Sequence, residues 1–141
     1  MREQALPIKM LVVDDSADVG ELVRATFWDK RWLVLSASDG VIGLEMAQRE
    51  KPAVVLLDIV LPRLQGWHVC ETLKGSRETD RTKIIMISAL IQGSIKKKAM
   101  QSGADAYIEK PFSPRHLVET VEKVLPVDVR ARLLNSGPLQ R

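Results

Sequence analysis

Five short and mostly apolar runs are separated by longer segments of mixed polarity along this chain. The runs cover residues 8–13, 32–37, 53–58, 83–88 and 105–109. A helical period of apolar residues follows each run. The stripe after the first run consists of Val19, Leu22, Val23, Thr26 and Phe27, with the i, i+3, i+4 spacing of an amphipathic helix. Strands that alternate with helices in this way predict an α/β domain, in which helices cover both faces of a parallel sheet.

The alternation occupies one continuous stretch, residues 8–125, and weakens on both sides of it. A length of 141 residues suits one domain. Residues 1–7 are a polar lead-in that ends at Pro7. Residues 126–141 are predicted to form a tail or linker with at most a short helical turn, because the sequence NSGP at 135–138 would break a helix.

Composition narrows the class of protein. Hydrophobic residues make up 45% of the chain and aromatic residues only 4%, so aliphatic side chains must fill the core. The chain has no apolar run of membrane-spanning length and no signal-peptide core near its start, which favours a cytoplasmic protein. Cys70 is the single cysteine and excludes an internal disulfide. A net charge of +3 does not by itself indicate nucleic-acid binding.

Polar side chains stand where several predicted strands end. Asp58 ends the third run, which is otherwise continuously apolar, as in a strand buried on both faces. Asp14 and Asp15 follow the first run, Ser88 ends the fourth, and Lys110 follows the fifth. In a parallel sheet these ends share one edge, where ligands bind in open α/β folds. Each residue alone also has an ordinary explanation: a turn or helix cap for the aspartates, a loop hydroxyl, and a solvated lysine.

The convergence of these groups indicates phosphoryl chemistry. Crowded carboxylates repel one another unless a cation lies between them. Oxygen ligands with room for water suit Mg²⁺ better than zinc or an iron–sulfur cluster. A carboxylate beside a divalent cation and a lysine can act as a nucleophile toward a phosphoryl group, while the two cations neutralise the transferring charge.

Taken together, the motifs resemble the receiver domain of two-component response regulators. The matching segments are Val12-Val13-Asp14-Asp15-Ser16, Leu57-Asp58 with Pro62 and Gly66 after it, Ser88-Ala89, and Lys110-Pro111-Phe112. They cover about residues 8–125 in the order and spacing of that family. The resemblance implies a flavodoxin-like (βα)5 fold, a three-layer sandwich around a parallel five-stranded sheet with strand order 2-1-3-4-5.

The resemblance also implies an acceptor and a metal site. Asp58 matches the residue that accepts the phosphoryl group. Asp15 and Asp58 would bind Mg²⁺ directly, together with the backbone carbonyl of Val60. Asp14 would act on the metal through a bound water.

The remaining implied roles concern the response to phosphorylation. Ser88 and Lys110 match the hydroxyl and the ammonium that stabilise the phosphoryl group. Ser88 and Tyr107 match the two switch positions. The Lys110–Pro111 peptide bond is expected to be cis, a geometry found almost only before proline.

The family implies partners as well. A sensor histidine kinase or a phosphotransfer protein would supply the phosphoryl group. A downstream protein target would bind the surface formed by the fourth helix, fifth strand and fifth helix, which could also form a homodimer. No membrane contact, no direct nucleic-acid binding by this chain and no enzymatic activity beyond its own phosphorylation and dephosphorylation are expected.

Two alternatives stay open. The basic tail allows the chain to be the receiver portion of a longer, DNA-binding regulator. A haloacid-dehalogenase-type phosphatase also uses an aspartyl phosphate, but that family has a second aspartate where Val60 stands, and its nucleophile lies on the first strand. Asp58 lies on the third predicted strand, which makes the phosphatase the remote alternative.

Overall fold

Strands and helices alternate along the part of the chain that the computed structural model describes, residues 6–89 and 93–135. The strands are β1 (Ile8–Val13), β2 (Trp32–Ala37), β3 (Val54–Asp58), β4 (Lys83–Ser88) and β5 (Ala106–Glu109). The helices are α1 (Ala17–Thr26), α2 (Gly40–Glu50), α3 (Gly66–Lys74), α4 (Gly93–Gln101), α5 (Pro114–Val124) and α6 (Val127–Asn135). Residues 1–5 of the predicted lead-in and 136–141 of the predicted tail lie outside the described residues.

The five strands form one parallel sheet in the order β2-β1-β3-β4-β5. This order and the helices on both faces confirm the predicted flavodoxin-like architecture. β3 lies in the middle, and every one of its residues is buried. Val13 pairs with Ala37 on one side and Leu57 on the other, so β1, β2 and β3 end at nearly the same level.

Alternate residues of the strands face two separate cores. Met10 and Val12 of β1 pack in a cluster with apolar residues of α1, α5 and α6. Leu11 and Val13 pack on the opposite face with residues of α2, α3 and α4. This period of two explains why the central strands are continuously apolar, since both faces of the sheet are covered.

Side-chain caps fix the start of two helices, α2 and α5. Asp39 Oδ1 accepts a hydrogen bond of 2.8 Å from the Ile42 N–H at the start of α2. Ser113 Oγ accepts one of 3.0 Å from the His116 N–H at the start of α5, with Pro114 in the first turn. Such bonds satisfy amides that have no partner within the helix. Within the described part of the chain, no helix combines the length and apolar character needed to cross a bilayer.

The sixth helix differs from the prediction of a tail with at most a short helical turn. α6 follows α5 after only Leu125 and Pro126, and its Leu133 joins the core cluster of α1 and α5. The Arg31 guanidinium donates a 3.0 Å hydrogen bond to the Leu133 carbonyl, and Arg130 donates one of 3.1 Å to the Leu125 carbonyl. Its two inward positions, Val129 and Leu133, were too few to give a detectable period, and these tertiary contacts stabilise the helix.

Candidate functional site

Three carboxylates meet at the edge where β1 and β3 end. The pairing of Val13 with Leu57 brings Asp14, the next residue after β1, beside Asp58 at the end of β3. One carboxylate oxygen from each of Asp14, Asp15 and Asp58 lies within 4.8 Å of the other two. Asp14 and Asp58 are buried and Asp15 is exposed, so the cluster opens to solvent on the Asp15 side.

Lys110 is the cation that reaches this cluster. Its Nζ lies 2.7 Å from Asp14 Oδ2 and 3.1 Å from Asp58 Oδ2. The backbone N–H of Lys110 donates a 2.8 Å hydrogen bond to the Ser88 carbonyl, which places the residue at the end of β4. The Lys110–Pro111 peptide bond is cis. Burial alone would lower the pKa of Lys110, but its contacts with Asp14 and Asp58 outweigh burial and raise that pKa.

The cluster remains short of positive charge despite Lys110. Burial raises the pKa of Asp58, and the nearby Asp14 carboxylate raises it further, against the lowering effects of Lys110 and the Val60 N–H. Asp14 Oδ2 is buried, and the Lys110 ammonium lies 2.7 Å from it. Three carboxylates beside one ammonium therefore leave an excess of negative charge, which a bound cation would relieve.

The donor set fits a hard divalent cation. All three side chains of the cluster offer carboxylate oxygens, and no sulfur or imidazole ligand belongs to it. Oxygen-only sites of a few carboxylates, completed by water, are typical of Mg²⁺. The sequence-predicted ligands Asp14, Asp15 and Asp58 are thus brought together, and the arrangement could hold a metal ion.

The loop after β3 is folded tightly against the cluster. The Val60 N–H donates a 3.2 Å hydrogen bond to Asp58 Oδ1, and the Gly66 N–H donates one of 2.9 Å to the Ile59 carbonyl. A Cβ at Gly66 would lie 1.9 Å from the Asp58 carbonyl oxygen, so no larger residue fits there without a shift. The glycine therefore allows α3 to begin directly against the backbone of the candidate acceptor.

The two predicted switch residues lie at different distances from this edge. Ser88 ends β4, is buried, and stands one residue beyond Ile87, the partner of Asp58 in the sheet. Tyr107 lies further from the carboxylates, in the middle of β5, where its hydroxyl donates a 2.8 Å hydrogen bond to the Ala99 carbonyl of α4. Tyr107 therefore contacts α4 rather than the carboxylate cluster itself.

One set of residues beside the site escaped the sequence reasoning. Arg63, in the loop after β3, donates a 3.1 Å hydrogen bond from Nη1 to Asp39 Oδ2. A separation of 24 residues between the partners leaves no periodic signal by which the pair could have been found.

Comparison with known proteins gives a consistent family. The family model described as "Response regulator receiver domain" matches residues 10–122. The "Probable transcriptional regulator ycf27" of Porphyridium aerugineum is 38% identical over 117 residues, which are 83% of this chain and 48% of that protein. The "Alkaline phosphatase synthesis transcriptional regulatory protein PhoP" of Bacillus subtilis is 36% identical, with 83% of this chain and 48% of that protein covered.

A solved structure agrees with the fold. The chemotaxis response regulator CheY4 of Vibrio cholerae superposes with a TM-score of 0.77 at 28% identity, over 84% of this chain and 99% of that one. By contrast, this chain spans about half the length of the curated relatives named above.

Proposed function

Because the chain belongs to the response regulator receiver domain family, as its sequence resemblance predicted, we propose that Asp58 accepts a phosphoryl group. One observation carries the assignment: Asp58 ends the buried central strand, pairs with Lys110 at 3.1 Å and shares its site with two further carboxylates. A carboxylate oxygen of Asp58 would bond to phosphorus while the bond from phosphorus to the donor breaks. The product is an aspartyl phosphate, and the leaving group departs with the electron pair.

The proposed cofactor is Mg²⁺. Asp15, Asp58 and the Val60 carbonyl would hold it directly, and Asp14 would hold it through a water. When bound, the ion supplies positive charge that offsets the negative charge of the transferring phosphoryl group. The excess of carboxylate charge at the cluster, three carboxylates beside one ammonium, supports this proposal.

Phosphorylation would change the charge that Ser88 and Lys110 experience. Phosphorylation puts roughly two negative charges where the carboxylate carried one. It would attract the Lys110 ammonium, already 3.1 Å from Asp58 Oδ2, and the Ser88 hydroxyl. The Tyr107 ring would then rotate and give up its hydrogen bond to α4. The result is a population shift between two packings of the α4–β5–α5 surface.

The proposed partners follow from this chemistry. A histidine kinase or phosphotransfer protein would donate the phosphoryl group in the cytoplasm, and a protein target would bind α4–β5–α5, which could also pair two copies of the chain. The chain would catalyse only its own phosphorylation and dephosphorylation and would not bind DNA itself.

The decisive experiment is labelling by a small acyl-phosphate donor. Wild type and Asp58→Asn are incubated with the donor, with and without Mg²⁺, and intact mass is recorded. We expect one phosphoryl group on the wild type with Mg²⁺, much less without it, and none on the variant. Equal labelling of both proteins would refute the assignment of Asp58.

A second candidate is the receiver portion of a longer, DNA-binding regulator. It is favoured because relatives described as transcriptional regulators extend to about twice the matched length. Immunoblotting of the native protein in cell extracts tests it. A mass well above that of the 141-residue chain supports this candidate, and a mass equal to that of the chain contradicts it.

A further inference from the structure

The β3–α3 loop, residues 59–65, carries the proposed metal ligand Val60 and has a strained tip. At the tip, the Leu64 N–H donates a 2.7 Å hydrogen bond to the Pro62 carbonyl, and Arg63 between them has a φ of 68°. A left-handed conformation is unfavourable for a residue with a Cβ and persists only where the surroundings hold it. Something outside the loop must therefore hold its tip.

The start of α2 supplies that support. The Gly40 N–H donates a 3.1 Å hydrogen bond to the Pro62 carbonyl, and Arg63 Nη1 donates one of 3.1 Å to Asp39 Oδ2. A Cβ at Gly40 would lie 1.8 Å from the Leu64 carbonyl oxygen. The tip of the loop thus lies in direct backbone contact with α2, at a position where only a glycine leaves enough room.

Asp39 contacts both α2 and the β3–α3 loop through its carboxylate. Its Oδ1 caps α2 through the Ile42 N–H at 2.8 Å, and its Oδ2 accepts from Arg63. The bond from Ile42 lowers the pKa of Asp39, and Arg63 lowers it further against the opposing effect of burial. An asparagine could keep the cap, but its amide would face Arg63 with no negative charge.

We propose that Asp39, Gly40 and Arg63 are positioning residues, which hold the β3–α3 loop so that the Val60 carbonyl and the Asp58 carboxylate face the same cation. The loop connects its support at α2 with the carboxylate cluster over a few residues. The Val60 N–H donates a hydrogen bond to Asp58 Oδ1, and Val60 lies two residues before Pro62, whose carbonyl contacts Gly40. The inference rests on the proposed function, since it requires Asp58 and Val60 to be metal ligands.

The pair should matter more for the metal than for the fold. The Arg63 side chain is 57% exposed, and ion pairs at such positions add little to global stability. Without the pair, the loop would sample other conformations, and Mg²⁺ binding would have to select the competent one. The apparent dissociation constant then rises in inverse proportion to the competent fraction, by about two- to fivefold for an exposed pair.

The test compares Arg63→Ala, Arg63→Lys, Asp39→Asn and the double variant Asp39→Asn/Arg63→Ala with wild type. Calorimetric titration with Mg²⁺ gives the dissociation constant, and labelling by the acyl-phosphate donor at increasing Mg²⁺ gives the half-saturating concentration and the limiting rate. Thermal unfolding in metal-free buffer records stability. Lys9→Ala is the matched control, because it removes one cation from a 3.1 Å ion pair with Glu50 elsewhere on the surface.

We expect Arg63→Ala and Asp39→Asn each to raise the Mg²⁺ dissociation constant about two- to fivefold, with the limiting rate unchanged. The double variant should bind Mg²⁺ no less tightly than the single variant with the lower affinity, because both changes remove the same ion pair. Arg63→Lys should recover part of the Mg²⁺ affinity, and Lys9→Ala should bind Mg²⁺ as wild type does. Wild-type affinity in Arg63→Ala, or additive losses in the double variant, would overturn the inference while the proposed function stands. A wild type that binds no Mg²⁺ would overturn both.

Discussion

Helix α6 offers a sharp test of which residues belong to the cooperative fold. Two adjacent leucines near its end differ in environment: Leu133 is 8% exposed and lies in the core cluster, whereas Leu134 is 78% exposed. Leu133→Ala and Leu134→Ala change the intrinsic helix propensity at neighbouring positions by the same amount. Any difference in stability between the two variants therefore reports on the burial of Leu133.

The expected magnitude follows from burial. Removing a fully buried leucine side chain costs about 2–5 kcal/mol, which combines lost transfer free energy with the cavity that remains. The Leu133 site lies at the edge of the core, where neighbouring side chains can relax, so we expect the low end, about 2–3 kcal/mol. Leu134→Ala should change the free energy of unfolding by no more than about 0.5 kcal/mol.

Urea denaturation followed by far-ultraviolet circular dichroism measures both values. Leu133→Ala should shift the midpoint to lower urea at an unchanged slope, which marks a change in stability alone. Its thermal midpoint should fall by about 6–9 °C. If both variants unfold at the wild-type midpoint, α6 does not share the cooperative unit of the domain and the reasoning from burial is wrong.

Three further predictions concern the site. In metal-free buffer at pH 7, Asp58→Asn should raise the free energy of unfolding by about 0.5–2 kcal/mol, because burial raises the pKa of Asp58 and its charged form destabilises the fold. As the pH falls through this raised pKa and below 3.8, the extra stability of Asp58→Asn over wild type should disappear, because the wild-type carboxyl is then neutral in both the folded and the unfolded state. Extra stability that stays constant with pH in denaturation experiments would contradict this prediction. Mg²⁺ at about 100 times its dissociation constant should stabilise wild type by about 2.7 kcal/mol in thermal unfolding. Asp15→Asn should lose most of that stabilisation. Equal stabilisation of both proteins by Mg²⁺ would exclude Asp15 as a ligand. Tyr107→Phe should lower the free energy of unfolding in urea by only about 0.5–1 kcal/mol. The Ala99 carbonyl that loses the tyrosine hydroxyl still accepts a 2.6 Å hydrogen bond from Ser102 Oγ. A loss above about 2 kcal/mol would show that this second donor does not compensate.

Most of the fold was predictable because its signals are local. The runs at 8–13, 32–37 and 83–88 match β1, β2 and β4 without change, and the others differ by one residue at their start. The strand order came from the family resemblance, since periodicity along a chain does not say which strands pair. α6 was missed for a related reason: its stability comes from contacts such as the bond between Arg31 and the Leu133 carbonyl, 102 residues apart in sequence.

The candidate site was likewise predictable from the sequence only in part. That Asp14, Asp15 and Asp58 meet followed from their places at strand ends, once a parallel sheet was predicted. The sequence did not reveal that Lys110 pairs with Asp14 at 2.7 Å, more closely than with Asp58 at 3.1 Å, or that Asp14 is buried. Burial and interatomic distance depend on packing, which a one-dimensional pattern does not contain.

The sequence by itself thus determined the type and order of the elements from β1 to α5 and the chemistry at one edge of the sheet. Apolar period and strand-end polarity are properties of neighbouring residues. Only the tertiary structure decided how that edge is supported. The contact of the β3–α3 loop with Gly40 and the ion pair of Arg63 with Asp39 join segments that are distant along the chain. Such contacts arise only when the folded backbone brings the segments together, and they govern how firmly the proposed metal ligands are held.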